Sequence, residues 1–155
     1  MKLIRVALMI LFLTGVACAA RTATPSVASE TEQPKNASVT VRVLGLEVES
    51  GQIAVALYDS AQSFKDRTGA VASGKTDPQD GAATWTVESI DPGIYAVAAY
   101  HDLNENDQLD RSALGAPAEP YGFSNDARGR FGPPKFEKAA IQIGPGPLTI
   151  EITLR

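Results

Sequence analysis

Residues 93–102 read GIYAVAAYHD, a stretch in which apolar side chains fall on both sides of an extended chain. A strand with one wet face alternates apolar and polar residues, and this one does not, so it predicts a central strand covered on both faces. The segments around it do alternate. Val39, Val41 and Val43 interleave with Thr40, Arg42 and Leu44; Ile53, Val55 and Leu57 with Ala54, Ala56 and Tyr58; Ala83, Trp85 and Val87 with Thr84, Thr86 and Glu88. At the end of the chain Leu148, Ile150, Ile152 and Leu154 interleave with Thr149, Glu151, Thr153 and Arg155, the pattern of a half-buried strand. Residues 138–143 predict one more strand, stopped by GPGP at 144–147, where neither proline can donate to a ladder. Gly51 and the DPG corner at 91–93 punctuate the others. Residues 61–80 read either as one short helical turn or as an edge strand, and no longer window shows a helical stripe. Six or seven strands between residues 38 and 155 predict an all-β fold, an antiparallel β-sandwich of the immunoglobulin or prealbumin kind with one long ordered loop. Trp85 is expected in its core rather than against a ligand.

The totals are consistent with one globular domain. The 155 residues are 44% hydrophobic and 21% charged, too apolar for a low-complexity chain. One cysteine excludes an internal disulfide framework and a cysteine-built zinc site. One histidine means that any Ser-His-Asp arrangement must use His101. A formal charge of −4 argues against a nucleic-acid partner, because phosphate contacts need a basic surface.

Residues 1–20, MKLIRVALMILFLTGVACAA, have early positive charges, a short apolar run and small residues around the single cysteine. This is the layout of a secretory signal, with a run too short to span a bilayer. Gly15-Val16-Ala17-Cys18 is similar to a bacterial lipobox, which makes Cys18 the lipidation site and the first residue of the mature chain. Ordinary cleavage at Ala17-Cys18-Ala19 is the alternative. The preferred organisation is a lipoprotein-type signal peptide at 1–17, a disordered tether at 18–37 rich in Ser, Thr, Ala, Pro and Glu, and the sandwich at 38–155. The protein is then exported to the periplasm or outer membrane, touching the membrane only through Cys18. Without Lys2 and Arg5 it carries 12 basic against 18 acidic residues, a charge of −6.

Some 35 residues, 101–135, separate the central strand from the next strand signal, and a loop that long in a compact domain is functional or disordered. Its aromatic and turn residues favour an ordered, functional loop. It opens with HDLNENDQLD, in which Asp102, Asn104, Asn106 and Asp110 stand at positions 1, 3, 5 and 9 of a calcium loop and the Gln108 carbonyl at position 7. A hard cation takes six to eight oxygens, and a coiled loop turns alternate side chains inward to supply them. Asp107 replaces the usual glycine, and Ala113 stands where a bidentate Glu closes the shell, so Glu105, Glu119 or water must serve. The competing reading is a turn whose Asn and Asp side chains bond their own backbone. His101 is expected to be a strand-end residue satisfied by a hydrogen bond.

Three linked segments, GIYAVAAYHDLNENDQLD at 93–110, LGAPAEPYGFSND at 114–126 and FGPPKFEKA at 131–139, resemble the DUF2141 family of exported bacterial proteins. The match runs from about Val39 to Arg155. The resemblance implies a prealbumin-like sandwich and brings no catalytic activity. DPGIY at 91–95 is also similar to the turn into a strand of carboxypeptidase regulatory-like and Cna-B-type modules, which serve as structural or binding units.

The expected function is therefore a non-catalytic envelope protein, a monomer with a Ca²⁺-stabilised loop. Tyr121, Phe123, Phe131 and Phe136 would form a contact patch for an envelope protein, a peptide or a glycan, unless the rings simply pin the loop to the sandwich. Arg128 and Arg130 are expected to pair with acids of the loop rather than with an anionic ligand. The alternative is a hydrolase using His101 with Asp102, Asp107 or Asp110 and a serine such as Ser124. No G-x-S-x-G elbow, P-loop or H-E-x-x-H supports it.

Overall fold

The computed structural model describes residues 35–130 and 132–155. The expectations for the signal peptide, Cys18 and the tether up to residue 34 lie outside the described residues, as does that for Phe131. Strands β1 (Ala37–Leu44), β4 (Ala82–Ile90) and β8 (Gly146–Thr153) form one sheet in the order β4-β1-β8. The second sheet has β3 (Ala72–Thr76), β2 (Gln52–Tyr58) and β5 (Gly93–Asp102) in that order. On the far edge of β5, β6 (Tyr121–Phe123) pairs with its second half and β7 (Ile141–Ile143) with its first. Two packed sheets make the expected all-β sandwich. Among the described residues no helix is long and apolar enough to cross a membrane.

Two details differ from the sequence reading. The pairs are antiparallel except one: β1 and β8 run parallel over their whole length, from Ala37 opposite Gly146 to Leu44 opposite Thr153. Alternation specifies which face is buried and carries no information on direction. The strands number eight among the described residues, because β3, β6 and β7 are only three to five residues long.

Short helices occupy two of the unclear stretches. Residues 61–80 supply both of the elements considered, α1 (Ala61–Asp66) and then edge strand β3. The Ser60 hydroxyl caps α1 by accepting from the Ser63 N–H at 3.2 Å, and Lys65 lies in its last turn, where a cation favours the helix dipole. The predicted strand at 138–143 begins instead as α2 (Phe136–Ala139), with Glu137 in its first turn and Lys138 in its last. Only 141–143 are extended.

Strand β5 is covered on both faces, as its composition requires. Tyr95, Val97 and Ala99 enter the core between the sheets with Val39, Val41, Val43, Ile53, Val55, Leu57 and Ile152. Ala96 faces a second core, formed with Tyr58, Phe64, Phe123 and Ala139. Phe64 of α1 is its hub: its ring meets Tyr58 and Phe123 edge-on at 5.7 Å and Phe136 at 5.9 Å. Burying such a ring contributes about 2 to 3 kcal/mol. The Arg67 guanidinium lies 4.2 Å from the Phe64 ring centre and 4.9 Å from that of Phe123. Burial lowers its pKa, an effect partly opposed by Tyr58. Trp85 is half-buried against the main core and covers Gly74 of β3, where a Cβ would overlap the indole nitrogen. It bridges the two sheets, as a core residue should.

Candidate functional site

The site grows from the end of β5. His101 and Asp102 are its last residues, and neither is exposed to solvent beyond 1%. The turn before β2 packs beneath them: the His101 Nε2 lies 2.7 Å from the Ser50 carbonyl oxygen. A Cβ at Gly51, whose φ is +80°, would overlap the Asp102 carbonyl. His101 is thus the satisfied strand-end residue expected of it.

Asp102 organises the loop that follows. Its Oδ1 accepts the Asn106 N–H at 3.0 Å and its Oδ2 the Asp107 N–H at 2.8 Å. The chain can coil this tightly because Glu105 and Asp107 take left-handed conformations, with φ of 57° and 67°. Asp tolerates that region better than most side chains, so the missing glycine at 107 costs little. The Asn104 and Asn106 amide groups both donate to Asp110, at 2.8 Å to Oδ2 and 3.0 Å to Oδ1. Their carbonyl oxygens accept the N–H groups of Asn106 at 3.2 Å and Gln108 at 2.8 Å. Asp102, Asn104, Asn106 and Asp110 are therefore brought together by bonds to one another and to the loop's own backbone, the arrangement of the competing turn reading. Gln108 enters through its N–H.

Two further residues complete the loop. Glu119, only 7% exposed, accepts the Leu103 N–H on Oε1 at 2.8 Å and the Asp110 N–H on Oε2 at 2.9 Å, clasping both ends. Sequence reasoning named Glu119 only as a spare ligand, since nothing in the spacing shows that it folds back. Lys75 comes from edge strand β3, opposite Ala54 of β2. Its ammonium forms an ion pair with Asp107 and lies 3.7 Å from the buried Asp102 Oδ2. No local motif points to Lys75, because it arrives by strand pairing. Beside this cluster Tyr100 has a raised pKa, first from burial and then from the charges of Asp102 and Glu119.

For a cation the donor set is mixed. Among the described residues no three His, Cys, Asp or Glu side chains gather to hold a metal, so a hard ion here would depend on amide and carbonyl oxygens. Each oxygen of Asp102 and of Asp110 accepts a single N–H in the bonds above, which leaves further acceptor capacity toward a hard ion. Lys75 already supplies positive charge at Asp102 and Asp107.

The aromatic patch divides. Phe123 is buried in the second core and Phe136 is half-buried on Phe64, so both rings pin the loop to the sandwich. Tyr121 is half-buried beside Phe123, with ring centres 5.8 Å apart. Ser124 and His101 serve different parts of the backbone: the fully buried Ser124 hydroxyl accepts the Val97 N–H at 2.9 Å and donates to the Ala139 carbonyl. Arg128 makes no ion pair among the described residues, contrary to the expectation for it.

No curated protein and no solved structure matches this chain. Residues 41–151 match the family described as "Uncharacterized protein conserved in bacteria (DUF2141)". That span runs from within β1 to within β8 and includes the whole loop clasped by Glu119, so the chain belongs to the DUF2141 family.

Proposed function

We propose that this protein is an exported, non-catalytic β-sandwich of the bacterial envelope, a monomeric binding or structural module held to the membrane by lipid on Cys18. One observation carries the non-catalytic part: His101 and Asp102, the groups a hydrolase would need, are buried and bonded to backbone. Ser124, the serine considered with them, is likewise buried and bonded to the backbone of β5 and α2. A general base must reach its proton donor and substrate, and these do neither.

In the same reading loop 102–110 takes up Ca²⁺ with low affinity. Convergence of Asp102, Asn104, Asn106 and Asp110 supports it, and the ion must compete with Lys75 for Asp102. The partner is an envelope protein, a peptide or a glycan.

The test is a melting curve of the tether-plus-sandwich chain in EDTA and in millimolar Ca²⁺. A rise in melting temperature that Asp102→Ala removes is expected, through mass-action stabilisation of the native state. No shift takes calcium out of the reading. Turnover of ester or peptide substrates by the wild-type chain would overturn its non-catalytic part.

A further inference from the structure

The outer edge of β8 is joined to the opposite sheet at one end only. Successive peptide groups of a strand point to opposite sides. Leu154 gives its N–H to the Leu44 carbonyl at 2.9 Å, so the N–H and C=O groups of the odd-numbered residues of β8 point away from β1. Arg155 and Tyr121 exchange two backbone hydrogen bonds of 3.2 Å, and the Thr153 N–H goes to Asp126 Oδ1 at 3.1 Å. There the seam stops. Thr149 and Glu151 turn the same groups outward, and among the described residues these groups have no partner.

Beyond this point the facing chain leaves the edge. Asn125 and Asp126 take left-handed conformations, with φ of 59° and 46°, and the Asn125 side chain donates to the Ala140 carbonyl at 2.9 Å, which ties the turn to the approach to β7. Residues 140–142 therefore stand across a groove of about 480 Å³ from residues 148–151. That volume is within the range of ligand sites. Its apolar wall comes from Leu148 and Ile141, both half-buried against the main core. No cationic side chain lines it among the described residues, whereas the Asp126 carboxylate is fixed at its closed end.

The remaining edges are blunted. On β4, Ala82 exchanges backbone bonds with Gln79 at 2.7 and 3.0 Å, and the Thr84 carbonyl accepts the Thr76 hydroxyl at 3.0 Å. Beyond Val87 the ladder with β1 shifts register, where Ser89 has a φ of 60°. Strands β3 and β7 have only five and three residues. Proteins shorten or cover such edges because an open one recruits a further strand.

We infer that an extended segment of a partner protein adds to β8 as a further strand, antiparallel to it, pairing with Thr149 and Glu151. Its inward side chains are apolar, to meet Leu148 and Ile141, and a basic residue near its start lies beside Asp126. Backbone bonds give such a strand its affinity, and the alternating side chains its selectivity. Antiparallel addition is the more stable pairing. Pro147, which has no N–H to offer, ends the site. The inference rests on the binding-module reading and names its partner as an extended peptide.

The test is a titration of the ¹⁵N-labelled tether-plus-sandwich chain with the peptide acetyl-Lys-Val-Thr-Val-Thr-amide. Saturable shifts of the Thr149 and Glu151 amides are expected. Thr149→Pro removes an outward N–H while leaving the β1 ladder whole, and weakens binding about fivefold, the loss of one backbone hydrogen bond. Asp126→Asn keeps an acceptor for Thr153 and weakens binding about threefold, the loss of one exposed ion pair. With Gln replacing Lys in the peptide, Asp126→Asn changes nothing. No saturable shift, equal binding by Thr149→Pro, or tighter binding of the reversed peptide acetyl-Thr-Val-Thr-Val-Lys-amide overturns the inference. Sedimentation of the peptide-free chain as a dimer that Thr149→Pro separates assigns the edge to a second copy and overturns it too. Slow hydrogen exchange at Thr149 and Glu151 in a peptide-free monomer does the same, assigning the edge to the chain's own N-terminal segment. Unaltered amide spectra away from the groove establish that the variants fold. Wild-type hydrolytic turnover would sink the non-catalytic reading without touching this titration, and a silent titration would remove the peptide partner alone.

Discussion

The Lys75 ammonium lies 3.7 Å from Oδ2 of Asp102, a carboxylate with no solvent exposure at the root of the long loop. A buried charge needs a partner, and removal of one member leaves the other uncompensated. Lys75→Met should therefore lower stability in EDTA by about 1 to 2 kcal/mol, less than for a fully buried pair because Lys75 is itself partly exposed. The same change vacates the cation position, so added Ca²⁺ should raise the melting temperature of Lys75→Met more than that of the wild type. An equal or smaller rise would show that lysine and calcium do not compete.

Glu119 holds the Leu103 and Asp110 N–H groups with its two oxygens. Glu119→Ala leaves two amides without acceptors and should cost about 2 to 3 kcal/mol in urea denaturation. Hydrogen exchange at Leu103 and Asp110 should accelerate in this variant far more than exchange in β1, which marks the damage as local.

Gly74→Ala places a methyl group where the Trp85 indole nitrogen lies. The ring must move away from β3, at a cost of about 1 to 3 kcal/mol. Because Trp85 is the only tryptophan in the chain, a red-shifted emission maximum reports the movement directly. Unchanged emission with unchanged stability would mean that the indole does not rest on Gly74.

Phenols with raised pKa values limit stability at alkaline pH, Tyr95 among them through burial and the charges of Asp91 and Asp59. Tyr58 has a raised pKa through burial, partly opposed by Arg67, and Tyr100 through burial and the neighbouring charges of Asp102, Glu119 and Tyr58. The unfolded chain ionises a tyrosine near pH 10, while the folded chain still holds the proton. Stability is then full below that pH and falls as pH rises above it toward the folded values. Denaturation midpoints should drop as pH rises above about 10, and Tyr100→Phe should flatten the drop.

Patterns of a few residues were legible in the sequence. GIYAVAAYHD showed a strand covered on both faces, and HDLNENDQLD brought Asp102, Asn104, Asn106 and Asp110 together in a self-bonded turn. What escaped depends on distant partners. The parallel direction of β8 against β1, the reach of Lys75 from β3 and the clasp by Glu119 are set by tertiary packing. YGF at 121–123 gave no strand signal because its three residues are too few for an alternating period, and its glycine is required by contact with β8. The start of α2 was hidden among residues that suit a strand as well as a helix, and its placement is decided by Phe136 packing on Phe64.

The parallel pairing of β1 with β8 also has a mechanical meaning. The first strand enters the domain at Ala37 beside Gly146, and the last leaves it at Thr153 beside Leu44, so the two chain ends depart in opposite directions. Tension applied between them slides one strand along the other and strains the whole ladder at once, instead of peeling it bond by bond. A domain built this way resists force directed along its first and last strands.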